Sequence, residues 1–258
     1  MLRISMTVCL AGALLCGEAR AGKLYQFMSR GRHYQITTDV DRKLAKKIAE
    51  HMELVYAEYD RRLSAFHTRD SRAMPLYVLS TRAKYKRIMR SNFGINAANT
   101  SGMFFVNERG PMLAAWVQGQ SRTRLFATLR HEGFHQFAWV RIGQDLPPWA
   151  NEGLARYFGD AIVVRGKFRT GLAGGARVRH VQAAIENGEH IGFRELLNMP
   201  TEEWGNRVIG GNSQTALQYD QAWSIVHFLI NAKRGKYAGP FIDYLKLISK
   251  GFVTEEHI

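Results

Sequence analysis

The chain has 258 residues, 36 Lys and Arg against 22 Asp and Glu, and two cysteines. That length suits one sizeable domain, or two small subdomains around a shared cleft, with a core large enough to need no disulfide staples. Both cysteines, Cys9 and Cys16, fall in the first 21 residues, so beyond them a cysteine nucleophile or a cysteine metal ligand is excluded.

The opening "MLRISMTVCLAGALLCGEARAG" has Arg3 as a short positive region, an apolar run over 4–15 and Ala19-Arg20-Ala21 as an A-x-A site. This predicts a signal peptide over 1–21, cleaved after Ala21, and a secreted, most simply periplasmic, protein from Gly22. Lipid anchoring at Cys16 fits less well, because Leu15 stands where a lipobox wants a small residue. No later apolar run approaches membrane-spanning length, so no transmembrane segment is expected. The formal charge of +14 should draw the surface to anions, an anionic cell-envelope component among them. The densest basic stretch, "RAKYKRIMR" over 82–90, has the spacing of a solvated helix face, and no nucleic-acid motif accompanies it.

Residues 33–38 alternate like a short strand, and Asp39 is placed to cap the helix after it. In that helix Leu44, Ile48, Met52, Val55, Tyr59, Leu63 and Phe66 form one apolar stripe. Residues 74–80 predict a buried strand, and Thr81 a cap for the basic helix. Two strands follow, over 102–106 and 112–119, joined by a turn containing "NERGP". A helix runs from near Ser121 to about Ile142, stopped by Gly143, and Pro147-Pro148 opens the next one. Beyond Gly159, "AIVVRGKFRTG" reads as a hairpin or extended arm and "GLAGG" as a turn, followed by helices over 177–186, 193–197, 215–231 and 238–250. The predicted class is α+β over 22–258. Residues 22–143 form a subdomain of small mixed sheet plus helices, 144–258 a mainly helical subdomain, and the active site lies between them.

That junction carries "HEGFHQ" and "PPWANEGLARYF". His131 and His135, four apart on a helix, project from one face one turn apart, which lets two imidazoles share a tetrahedral Zn²⁺. Glu132 is rotated by about 100° and is better placed as a general base towards a zinc-activated water. Glu152, on a helix folded back by the turn over 143–148, can supply a third ligand; three protein ligands leave a position open for catalysis.

These blocks resemble the gluzincin metallopeptidases, which include thermolysin and the zinc aminopeptidases. They resemble most closely a bacterial family of secreted peptidase MA-like domains of unknown function, in which a tyrosine opens a later W- and L-rich helix. Here "YDQAWSIVHFL", from Tyr219, matches that element. The resemblance spans most of the chain after residue 21, although only these three blocks are specific. It implies a zincin-like fold, one zinc per chain held by His131, His135 and Glu152, and hydrolysis of a peptide or protein substrate with Glu132 as base. It also implies Tyr219 as a donor to the oxyanion; the alternative for Tyr219 is a core position, since it shares a stripe with Trp223, Val226 and Ile230.

Two departures stand out. Arg156 occupies the place of an acidic residue that supports a ligand histidine in thermolysin-like relatives, which would shift that task to a carboxylate such as Asp145 or Asp160. No G-A-M-E-N-like motif precedes the helix, which favours an endopeptidase over an aminopeptidase. His180 could reach the cleft, His227 reads as a satisfied buried or semi-buried histidine, and Asn151 positions a ligand, touches substrate, or simply belongs to a first helical turn. The strand over 112–119, if at a sheet edge, could pair with an extended substrate. The leading expectation is therefore a secreted zinc metallopeptidase. The alternatives are a non-catalytic zinc-containing envelope-binding protein on the same fold and a zinc amidase acting on cell-wall amides. Glu132 weighs against the binder, because a structural zinc has no use for an adjacent base.

Overall fold

A computed structural model describes residues 23–67, 72–98, 100–210 and 213–251; the signal peptide expected over 1–21, with its cleavage position and Cys16, lies outside them. Five strands form one mixed sheet: β1 (Tyr25–Met28), β2 (Tyr34–Thr38), β3 (Met74–Leu79), β4 (Gly102–Asn107) and β5 (Gly110–Trp116). Their order is β1-β2-β3-β5-β4. β2, β3 and β5 run parallel, while β1 and β4 pair antiparallel at the two edges. The parallel pairings require crossovers. Helix α1 (Arg42–Arg62) links β2 to β3, and α2 (Arg82–Phe93) lies in the connection from β3 to the β4–β5 hairpin.

Because side chains alternate across a strand, β3 and β5 feed two cores. Leu76, Val78, Leu113 and Ala115 join Ile48, Met52, Tyr59, Phe134 and Phe137 from α1 and α3 (Arg122–Arg141). On the opposite face Leu79, Met112 and Ala114 pack with Tyr85 and Met89 of α2. The exposed remainder of α2 agrees with a solvated basic face.

Most predicted elements are found within a few residues of their expected bounds, with three differences. Asp41, rather than Asp39, caps α1, its Oδ1 accepting from Leu44 N at 2.9 Å. The Asp39 side chain is fully buried; it accepts from Ser80 N and Oγ at 2.7 and 2.6 Å and pairs with Lys84, tying the end of β2 to α2. β1 and helix α7 (Thr201–Gly210) had no sequence signal strong enough to place them. The third difference bears on the site: the strand over 112–119 corresponds to β5, which is an inner strand, so its backbone is spent on β3 and β4.

The second half is helical apart from the hairpin β6 (Ile162–Val164) and β7 (Lys167–Arg169). It comprises α4 (Pro148–Gly159), α5 (Gly175–Glu186), α6 (Phe193–Leu197), α7, α8 (Ser213–Gly235) and α9 (Ala238–Ser249), with helical geometry broken at Ala232–Arg234 of α8. α4 is the keystone, packing on both α3 and α8. Its approach to α8 needs a glycine: a Cβ on Gly153 would lie 2.6 Å from the Ala222 carbonyl oxygen. Its far end is held from α3 by buried Arg130, whose guanidinium donates to the Phe158 and Gly159 carbonyls, Nη2 to Gly159 O at 2.8 Å. Both are last-turn carbonyls without an i+4 partner in the helix; Phe158 O accepts from Ala161 N as well. Among the described residues no helix is long and apolar enough to cross a membrane.

Candidate metal centre

Helix α3 begins where the Ser121 side chain accepts from Arg124 N, and it stops at Gly143, whose φ of +124° suits a residue without a side chain. Pro147 and Pro148 then set the backbone for the first turn of α4, where the missing proline N–H costs nothing. This short connection brings the "WANEG" turn back against the two histidines of α3.

Three side chains meet there. His131 Nε2 and His135 Nε2 are 3.3 Å apart, and Glu152 Oε2 lies 3.4 Å from the first and 3.6 Å from the second. Ligands about 2.05 Å from a tetrahedral zinc stand about 3.3 Å from one another, so this triangle has the dimensions of one face of such a site. Among the described residues it is the cluster of three or more His, Cys, Asp or Glu side chains close enough to hold a metal. Glu152 Oε2 is buried without a hydrogen-bond donor. A buried carboxylate oxygen in that condition is expensive unless a cation meets it, and two imidazoles plus one carboxylate form a donor set that zinc takes. On both counts the residues fit a metal ion.

The electrostatics agree. Burial opposes a charged His135, but the Glu152 carboxylate, with Glu132 and Asn151 beside it, outweighs burial and lifts the pKa to about 9. Burial alone would raise Glu152; His135 and His131 instead hold it far below the usual carboxylate range. The triad thus concentrates attraction for positive charge at one point.

Asn151 orients one of the three side chains. Its Oδ1 lies 2.9 Å from His135 Nδ1, the geometry of an Nδ1–H donating to the amide oxygen, which in the neutral ring leaves Nε2 unprotonated on the side of His131 and Glu152. The group that meets the His135 ring on its far side is therefore the amide beside Glu152. Neither carboxylate considered for that role takes it: Asp160 is engaged by Arg177, and Asp145 is exposed in the α3–α4 connection.

Glu132 stands outside the triad. Its Oε2 accepts from Phe104 N at 2.9 Å, which anchors the carboxylate to β4, the edge strand beside the site. In an antiparallel pair alternate residues turn both backbone groups away from the partner. Phe104 belongs to that outward set, and Gly102 and Val106 share it. A cleft of about 420 Å³ opens between this strand, the histidine face of α3 and α4, and it is lined by His131, Glu132, Arg124, Arg156 and Arg177 among others.

Tyr219, on α8, is half-buried, edge-on to Trp204 with ring centroids 5.4 Å apart and beneath the Arg156 guanidinium at 4.6 Å. Burial, and after it the Glu152 carboxylate, raises its pKa to about 12, so it remains a proton donor at neutral pH. His180 is joined to Asp220 at 2.8 Å, in a network with Arg177 and Asp160 at the rim of the cleft. His227 meets the Gly171 carbonyl at 3.1 Å, as a satisfied histidine should. Asp220 lies inside the "YDQAWSIVHFL" block but has no role assigned from sequence; its partners Arg177 and His180 come from α5, which packs on α8.

A comparison with curated proteins finds no match. Residues 125–251 carry a domain matching the family described as "Protein of unknown function (DUF1570)", and that span holds His131, Glu132, His135, Glu152 and Tyr219.

Proposed function

We propose that the protein is a single-zinc metallopeptidase of gluzincin type that cuts peptide bonds, exported by its leader to the periplasm or beyond. The observation that carries this reading is the triangle of His131, His135 and Glu152, at 3.3–3.6 Å, with a fourth residue, Glu132, held beside it by a strand edge and taking no part in it. Zinc bound at the triad supplies Lewis acidity, which polarises a carbonyl and makes a water ionisable near neutral pH. Everything else falls to the chain. Asn151 fixes the ring of His135. Glu132 accepts a proton from the attacking water and passes it to the leaving nitrogen. Tyr219, protonated and close enough to feel both carboxylates, donates to the carbonyl oxygen as it gains charge. The outward backbone groups of Gly102 and Val106 and the Phe104 carbonyl, whose own N–H is held by Glu132, offer an extended peptide an edge to pair with; the sequence suggests that task for the strand that is β5.

A general base held in place has no use in a binding protein, which sets the enzyme reading above a zinc-containing envelope binder. The test is a peptide-library digest by the zinc-loaded full chain, run beside Glu132→Gln. Cleavage by the wild type that vanishes in the zinc-retaining variant supports the reading; equal cleavage by both, or none by either, sinks it.

A further inference from the structure

The cleft beside the triad contains an arginine short of partners. Arg156 lies one helical turn beyond Glu152, so it projects from the same face of α4 as that carboxylate. Its Nε is buried with no hydrogen-bond partner, and its ion-pair partner among the described residues, Asp220, stands 3.8 Å from Nη1, beyond hydrogen-bond reach. Asp220 is already committed, with Oδ1 to Arg177 Nε and Oδ2 to His180 Nδ1, each at 2.8 Å. The Tyr219 ring lies 4.6 Å from the Arg156 guanidinium carbon, a cation–π contact that supplies no oxygen acceptor to its N–H groups. Arg124, from the first turn of α3, lines the same cleft and contacts Ser101 Oγ at 3.4 Å. The acidic groups lining the cleft are spoken for: Glu132 by Phe104 N, Asp160 by Arg177.

A guanidinium stays charged at any ordinary pH and offers a planar fork that matches a carboxylate. An N–H buried without an acceptor is costly, so Arg156 has an acceptor to gain. We propose that Arg156 and Arg124 form a carboxylate-binding pocket next to the scissile bond. On the peptidase reading above, on which this rests, the substrate carries there either an Asp or Glu side chain or a free C-terminal carboxylate. Arg156 thus stands where a supporting acid would be expected because it serves the substrate, while Asn151 supports the ligand.

The test uses the zinc-loaded full chain and peptide pairs that differ only as Glu against Gln at positions flanking the cut, or as carboxylate against amide at the C-terminus. The acidic member of one pair type should be cut about 10- to 100-fold faster in kcat/KM, the scale of a charge-assisted hydrogen bond. The pair that shows it identifies the source of the carboxylate. The ratio should collapse in Arg156→Met and shrink in Arg124→Ala; Arg124 is exposed, so that variant gives the answer if Arg156→Met does not fold. In calorimetric titration, Glu132→Gln should bind the acidic peptide more tightly than its neutral twin, and lose that difference once Arg156→Met is added. Zinc-dependent cleavage at equal rates for both members, or a preference that survives both substitutions, overturns the pocket and leaves the peptidase standing. Failure to cut any peptide overturns the peptidase, and the pocket with it.

Discussion

Replacing Gly153 with alanine should part α8 from α4 and pull Glu152, the proposed third ligand, away from the histidines. The added Cβ would lie 2.6 Å from both the Ala222 carbonyl oxygen and Val226 Cγ2. Ordinary contacts of this kind begin at roughly 3.5 Å, so the helices must separate by about 0.9 Å. Overpacking on that scale costs about 1–3 kcal/mol, against the gain of up to about 1 kcal/mol that alanine has over glycine in a helix. The expected balance is a loss of about 1–2 kcal/mol in urea unfolding. Glu152 is the adjacent residue, and metal–ligand distances tolerate only about 0.2 Å, so zinc affinity should fall tenfold or more in a chelator competition. Gly205 supplies the control: it too lies in a helix, but a Cβ there meets nothing within 4 Å. Gly205→Ala should therefore stabilise by up to about 1 kcal/mol. If the two alanines act alike and Gly153→Ala binds zinc as the wild type does, the close approach of α8 is not what positions Glu152.

Three further outcomes are expected. Asn151→Ala should keep the fold and weaken zinc binding by about 10- to 100-fold, read by chelator competition; an unchanged affinity would mean His135 is oriented by something else. Tyr219→Phe should slow peptide cleavage by about 100-fold with zinc content unchanged, whereas little change would return the ring to packing alone. His51 gives a pH signature away from the site: burial, then the nearby Arg130 charge, lowers its pKa to about 3. The unfolded chain takes up a proton near pH 6.5 that the native chain refuses, so stability is full above that value and falls as pH drops from about 6.5 towards 3, by up to about 1.4 kcal/mol per unit. His51→Gln should flatten the urea-unfolding profile over that window by one proton, and an unaltered slope would refute the assignment.

Much of the site is readable in the sequence because its elements are local. A four-residue spacing on a helix fixes how His131 and His135 face, and Gly143 with Pro147-Pro148 announces that the chain turns back and restarts a helix. What escapes is whatever depends on non-local packing. The segments over 102–106 and 112–119 both read as strands, and nothing in either tells which is outermost; the parallel pairing of β5 with β3 decides it, and so places β4 beside Glu132. Asp39 and Asp41 are equally good caps by residue type, and the choice is made by Ser80 and Lys84, some forty residues away, which take Asp39 inward. Sequence alone leaves Asn151 between positioning a histidine, touching substrate and merely opening a helix, and only the packing of α4 on α3 sets its amide oxygen 2.9 Å from His135 Nδ1.

Zinc K-edge absorption on the loaded full chain tests most directly the centre on which the rest depends. The predicted result is one zinc per chain with two imidazole nitrogens and oxygen neighbours at about 2.0–2.2 Å, unchanged in Glu132→Gln and lost or rebuilt in Glu152→Ala. A chain that holds no zinc at neutral pH, or a spectrum indifferent to the loss of Glu152, would contradict it.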